Sequence, residues 1–123
     1  MPSSTGSTAY ERGAYGEDLA ASYLTGQGYR VVARNLRFVG GEIDLIAFDA
    51  DVLCFVEVRS RANLNHGHPL ETVGPAKIRR IVLAASQYLA DLPEPWPETR
   101  FDVLGIVLSD PPAYTLVREA FEA

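Results

Sequence analysis

Two neighbouring segments, Glu42 to Phe48 and Val52 to Ser60, are apolar on both faces of the strands they would form. In the first, Ile43, Leu45 and Ala47 fall on one face and Ile46 and Phe48 on the other. In the second, Cys54, Val56 and Val58 oppose Leu53 and Phe55. A strand that meets water on one side alternates apolar with polar. One that is apolar on both sides belongs inside a sheet with helices over each face. Asp49-Ala50-Asp51 joins the two segments, so they predict a central hairpin.

The flanking sequence supplies the covering layers. Thr8 is positioned as an N-cap for a helix that runs to Gly26 or Gly28, with an apolar stripe of Tyr10, Ala14, Ala21 and Leu24. Glu17 falls on that same stripe, an unexpected place for a carboxylate. Tyr29 to Arg34 reads as a short strand, and Gly40-Gly41 breaks the chain before the hairpin. After a polar loop from Arg61 to Pro69, Gly74-Pro75 opens a second helix, since proline suits a first turn. Its stripe is Ile78, Val82, Ala85, Leu89 and Leu92, ending near Pro93. Phe101 to Leu108 is a further apolar strand, and Tyr114 to Val117 is a candidate last edge strand. Helix, three strands, helix and strand predict an α/β sandwich with a mixed sheet.

At 123 residues the chain has the length of one domain, expected over residues 8–123 behind a small, polar, disordered tail at residues 1–7. With 47% hydrophobic and 22% charged residues it is neither a disordered chain nor a fibrous repeat nor a coiled coil. No apolar run approaches the length of a membrane helix, and the first residues lack the cationic start and apolar stretch of a signal peptide. The lone Cys54 has no partner for a disulfide and lies in an apolar run, as a small core residue would. These features predict a cytoplasmic protein without membrane partners.

The net charge of −5 argues against strong nonspecific binding to nucleic acid. The charges are uneven, however. Residues 28–80 carry a net +2 and the rest a net −7, so only the middle of the chain suits a polyanion. Ten of the eleven cations are arginine, and Lys77 is the single lysine.

The hairpin register brings the acids of that middle region together. If Phe48 opposes Leu53, then Ile46 opposes Phe55, Asp44 opposes Glu57 and Glu42 opposes Arg59. Opposed residues have Cβ atoms roughly 4.5–5.5 Å apart, and alternation puts all four of these on one face. Two opposed carboxylates in an apolar sheet repel unless a cation or proton lies between them. Hard divalent cations take oxygen ligands, often one or two carboxylates with water and phosphate. Asp44 and Glu57 fit that description, with the Val58 carbonyl as a further candidate ligand. An ion-pair network with Arg59 and Arg34 would give the same spacing. On residues alone both readings stand, and Glu17 could join the acids or sit at its helix edge.

At these residues the chain resembles the YraN family of bacterial proteins. The resemblance rests on Gly41-Glu42-Ile43-Asp44-Leu45-Ile46-Ala47 and Phe55-Val56-Glu57-Val58-Arg59-Ser60-Arg61. Tyr15-Gly16-Glu17, Gly28-Tyr29, Arg34-Asn35, Pro75-Ala76-Lys77 and Arg100-Phe101-Asp102-Val103 extend it over residues 9–105. The family is similar to restriction-endonuclease-like proteins, particularly Holliday-junction resolvases. The resemblance implies a restriction-endonuclease-like αβββαβ sandwich, its mixed central sheet having a helix on each side. It also implies a phosphodiesterase site using Mg²⁺ or Mn²⁺, with Glu17, Asp44 and Glu57 as the acids. Arg59 stands where the wider superfamily has lysine. Arginine stays charged, so it can orient a phosphate but not share in proton transfer. Lys77, in the first turn of the second helix, is the candidate for a movable cation. A homodimer is implied by analogy with junction-cleaving relatives.

The expected function is a metal-dependent, endonuclease-like protein acting on DNA, branched DNA included. The alternatives are a noncatalytic nucleic-acid-binding module of the same fold and a structural protein with a charged core. Arg34, Arg37 and Arg61 are the candidates for nucleic-acid contact, whereas Arg79 and Arg80 read as a solvated helix face. His66 and His68 read as solvated loop residues and Trp96 as a packing anchor.

Overall fold

The hairpin forms in the register that its alternation demands, with Phe48 opposite Leu53 and Ile46 opposite Phe55. The computed structural model describes residues 9–123, with side chains from Gly13 onward. The expected tail, the Thr8 cap and Tyr10 lie outside what is described. The elements run α1 (Ala9–Gly26), β1 (Tyr29–Phe38), β2 (Gly41–Asp49), β3 (Val52–Arg61), α2 (Pro75–Ala90), β4 (Thr99–Val107) and β5 (Ala113–Phe121). A one-turn 3-10 helix at Pro69–Thr72 precedes α2. The five strands follow chain order across the sheet. All neighbours are antiparallel except β3 and β4, whose parallel pairing is made possible by the α2 crossover. The predicted mixed sheet with a helix on each side is therefore observed, and β5 is a full nine-residue edge strand rather than the four residues expected.

Each helix covers its own core. Ala20 and Leu24 of α1 pack on Leu45, Ala47, Cys54, Val56, Leu104 and Ile106. Ile81, Ala84 and Ala85 of α2 pack on Ile43, Ile46, Leu53 and Phe55. Both helix stripes differ from those predicted. In α1 the buried line is Gly16, Ala20 and Leu24, while Ala14 is exposed. A Cβ on Gly16 would lie 3.1 Å from Ser60 Oγ, so small residues let α1 seat closely on β3. In α2 the buried line is Ile81, Ala84 and Ala85, with Ile78, Val82 and Leu89 only half-buried. Leu24 and Ala85 are buried as predicted, and the small Gly16, Ala20 and Ala84 join them where the helices approach the sheet closely. Among the described residues no helix is long and apolar enough to cross a membrane.

Around Asp102, which stands opposite Val56 on β3, a polar network crosses the strands. Asp102, fully buried, accepts hydrogen bonds from Tyr29 Oη at 2.7 Å and from Arg100 Nε at 2.8 Å. Arg100 also donates to Asp49 at 2.8 Å, and Arg118 Nε donates to Tyr29 Oη at 3.2 Å. Burial alone would raise the Asp102 carboxyl, but the bonds from Arg100 and Tyr29 outweigh it and hold the group below the usual range. Burial and the bond to Asp102 push Tyr29 up to about 12. Every buried polar atom there has a partner, so this network locks the sheet rather than offering open chemistry. Cys54 is buried as predicted, and burial pushes its thiol up to about 12. His68 departs from the expected solvated loop: its Nδ1 accepts the Leu70 N–H and caps the 3-10 helix. Trp96 is nearly half exposed, its Nε1 donating to the Leu92 carbonyl at 3.3 Å.

Candidate functional site

The ladder between β2 and β3 ends at Leu45–Val56, one pair short of Asp44 and Glu57. Beyond it the strands part, and Asp44 Oδ2 takes the Val58 N–H at 2.8 Å in place of a backbone carbonyl. A break in alternation accompanies the parting. Ile43 and Ile46 both pack toward α2, whereas Leu45 packs toward α1. On β1 the same shift lies between Ala33 and Leu36, both on the α2 side. Asn35, between the pairs Arg34–Leu45 and Leu36–Ile43, therefore stands opposite Asp44. Its φ of 53° is a left-handed conformation that asparagine tolerates better than most residues. The predicted line of Ile43, Leu45 and Ala47 on one face is thus broken at Asp44, because strands freed of their partner ladder can twist.

This break decides where Asp44 goes relative to the other acids. Phe55 faces α2, so alternation carries Glu57 and Arg59 to the α2 side. Glu17, on α1, approaches from the opposite side. Asp44 lies between them in the gap, and its charge raises the proton affinity of both. Burial, then Asp44, raises Glu17, against the pull of Asn35 and Arg34. Glu57 is only 2% exposed, and burial followed by Asp44 pushes it up to about 8, against the pull of Lys77 and Arg59. A strand residue directs its N–H and C=O to the same edge. The Val58 carbonyl accordingly faces the gap that its N–H spans.

The cations are divided among distinct tasks. Glu57 Oε2 is held by Arg59 at 3.3 Å and by Lys77 at 3.5 Å. Arg59 Nε donates to Thr72 Oγ1 at 2.6 Å, and Thr72 donates in turn to the Pro69 carbonyl. Thr72 had no signal in the sequence, since only the fold brings the 3-10 helix over β3. Lys77 also approaches Glu42 at 3.7 Å, and Glu42 reaches Arg37. The predicted pairing of Glu42 with Arg59 does not form, because the ladder stops before reaching it. Glu71 accepts the His68 N–H at 3.0 Å. Arg34 is engaged by Asp18 at 2.6 Å, while Arg37 projects into solvent.

Among the described residues three buried side-chain atoms have no hydrogen-bond partner: Glu17 Oε1, Glu57 Oε1 and Arg61 Nε. Glu17 and Glu57 flank Asp44 from either side, and Arg61 lines the hollow that holds Arg59. Buried polar atoms are nearly always paired, so these orphans indicate groups prepared for something else. Also among the described residues, no three His, Cys, Asp or Glu side chains are close enough to hold a metal by themselves. Glu17, Asp44 and Glu57 therefore do not form the three-acid cage that the sequence resemblance implied. A magnesium-type ion needs only one or two carboxylates, completing its shell with water and phosphate. Asp44 and Glu57, with the Val58 carbonyl, fit that lesser demand.

Open hollows flank the gap. One of about 370 Å³ is lined by Gly13, Ala14, Glu17, Asn35 and Arg37. On the far side of β3 another of about 400 Å³ is lined by Val58, Arg59, Ser60, Arg61 and Thr72. A third, of about 260 Å³, continues from Arg37 past Gly40 and Gly41 to Arg80. An apolar hollow elsewhere, between the start of α2 and β5, has no titratable side chain in its lining.

Known proteins share this arrangement of sequence. The profile of "Uncharacterised protein family UPF0102" matches residues 16–106. A UPF0102 protein of Chlorobaculum parvum is 52% identical over 95 residues, covering 77% of this chain and 74% of its own. One of Rhodococcus jostii is 48% identical over 111 residues, covering 89% and 94%. One of Symbiobacterium thermophilum is 52% identical over 94 residues, covering 76% and 80%.

Proposed function

Because this chain belongs to uncharacterised protein family UPF0102, its chemistry has to be read from its site, and we propose a metal-dependent phosphodiesterase acting on DNA. The observation that carries this reading is the pair of unpartnered oxygens, Glu17 Oε1 and Glu57 Oε1, on either side of Asp44, with the unpartnered Arg61 Nε beside the hollow that holds Arg59. The oxygens suit a hard cation and the nitrogen suits a phosphoryl oxygen.

Asp44, Glu57 and the Val58 carbonyl would hold Mg²⁺ or Mn²⁺, with Glu17 reaching the ion or its water from the α1 side. When bound, such an ion supplies an activated water and neutralises charge on the phosphate. The chain's own groups do the rest. Arg59, fixed by Thr72 and Glu57, presents a guanidinium whose position is set before substrate arrives. Preorganised charge of this kind stabilises a developing negative phosphate without rearrangement. Arg61 adds a second guanidinium on the same hollow. Lys77, one side chain removed, is the cation able to change protonation that Arg59 is not.

A second reading has its own support. Glu57 already has Arg59 and Lys77 as partners, as it would in a nucleic-acid-binding module without catalysis. Calorimetric titration of Mn²⁺ into wild type and Asp44→Asn, with a nicking assay on supercoiled DNA, separates the two. Hydrolysis predicts Mn²⁺ binding and nicking that both vanish in Asp44→Asn. Equal Mn²⁺ affinity in the two proteins would remove the metal reading.

A further inference from the structure

At the β1–β2 turn, Arg37 and Arg80 line one hollow beside an exposed apolar point. β1 and α2 together carry Arg30, Arg34, Arg37, Lys77, Arg79 and Arg80, and neither contains an acid. In a chain of net charge −5 this is a marked segregation. Between the two elements stands Val39, which is 86% exposed, with Leu83 of α2, 47% exposed, beside it. Large apolar side chains held in water among arginines suit a partner that offers both negative charge and an apolar surface.

The turn is rigidly held. Gly40 has φ +80°, and the Leu83 methyl would lie 2.9 Å from any Cβ placed there. A Cβ on Gly41 would run into the Arg80 carbonyl, so α2 sits directly on the turn. Gln87 Nε2 donates to the Val39 carbonyl at 2.9 Å. Val39 is therefore presented on a fixed support. Arg37 and Arg80 flank it, and the hollow they share leads past Glu42, which Lys77 links to Glu57.

We infer that Val39 and Leu83 form an apolar wedge against an exposed nucleobase, while Arg37 and Arg80 hold the adjacent phosphates, so that the bound DNA carries an unpaired or splayed strand here. The inference rests on the nucleic-acid reading of the acid site and specifies its substrate as branched or frayed DNA. Apolar side chains inserted at a base step are a recurring means of unstacking, and a base already unpaired meets them at least cost. A polyanion is the occupant favoured by charge, since a second copy of this chain would bring Arg37 and Arg80 against themselves.

The test is equilibrium binding by fluorescence anisotropy in EDTA, using the full chain and two labelled DNAs of equal length, a splayed fork and a plain duplex. Wild type is expected to prefer the fork. Val39→Ser with Leu83→Ser should weaken fork binding by about five-fold, the order for withdrawing a few methyl groups from contact, and leave duplex binding within two-fold. Arg80→Ala should weaken both and lower the salt slope by about one. Thermal melting confirms that these exposed substitutions leave the fold intact. An unchanged fork preference in the double variant overturns the wedge, even if wild type nicks DNA with Mn²⁺. A Val39-dependent preference without nicking sustains the wedge and defeats the hydrolytic reading instead. Binding to neither DNA overturns both. Conversion of a dimer to a monomer by Val39→Asp, with DNA binding unaffected, assigns the patch to a second copy and overturns the wedge.

Discussion

Asp44 accepts the Val58 backbone N–H at 2.8 Å, so a side chain completes a ladder that the backbone abandons one residue earlier. The consequence is electrostatic. The carboxylate is fixed in the gap between two sheet faces, beside Glu57 on one side and Glu17 on the other.

Stability should therefore fall as pH rises. The folded Glu57 carboxyl is raised from 4.5 to about 8 by burial and by Asp44. Between those values the folded state holds a proton that the unfolded state has lost, so the Glu57 contribution to stability is fully present below 4.5 and is lost toward 8. Lys77 and Arg59 moderate the effect, leaving a loss on the order of a few kcal/mol. Urea denaturation at pH 5, 6.5 and 8 measures it, with Glu57→Gln as the control whose slope should flatten. A profile for Glu57→Gln that parallels wild type would assign the proton elsewhere.

Lys77 and Arg59 touch the same carboxylate oxygen but should not be equivalent. Arg59→Ala removes the guanidinium fixed by Thr72 and should abolish Mn²⁺-dependent nicking. Lys77→Ala should slow it less severely, and should displace the pH dependence of Glu57 upward by removing a favourable charge. Nicking assays on both folded variants decide this. Cleavage by Lys77→Ala at the unmutated rate and pH profile would leave arginine as the sole working cation.

Gly41 and Gly13 should respond to alanine in opposite directions. At Gly41 a methyl group meets the Arg80 backbone carbonyl, which cannot step aside without moving α2. A loss of about 1–3 kcal/mol is expected, as for overpacking generally. At Gly13 nothing lies within 4 Å, and the residue is in α1, so alanine should gain about 0.5–1 kcal/mol of helix preference. Thermal melts of the two variants give the comparison directly. Equal melting temperatures would mean that α2 does not bear on the turn.

Asp102→Asn should be costly without touching the chemistry. It leaves Arg100 with its buried partner neutralised, and a loss of about 3–5 kcal/mol is expected. Tyr29→Phe removes the hydroxyl that donates to Asp102 and accepts from Arg100 and Arg118, and should cost roughly 1–3 kcal/mol. Denaturant titration measures both. Mn²⁺ affinity of the surviving folded protein should match wild type, because no hydrogen bond of the network reaches Asp44 or Glu57.

What the sequence determined is whatever local periodicity encodes. Apolar residues on both faces of Glu42–Phe48 and Val52–Ser60 required a central hairpin under two helices. The short Asp49-Ala50-Asp51 link fixed its register, since a one-residue slip would have turned every side chain over. The acids Asp44 and Glu57 were legible for the same reason. Where the ladder stops was not legible. It depends on Asn35 across β1 and on the Asp44 side chain replacing a backbone acceptor, neither of which leaves a periodic trace. That single local departure moved Asp44 off the face that strict alternation shares with Glu57 and into the gap between Glu57 and Glu17. It also left Glu42 to Arg37 and Lys77 rather than Arg59. The burial of the small Gly16, Ala20 and Ala84 was likewise decided by how closely each helix could approach the sheet. Pattern specifies which residues go inside, and the packing of distant elements decides which of them meet.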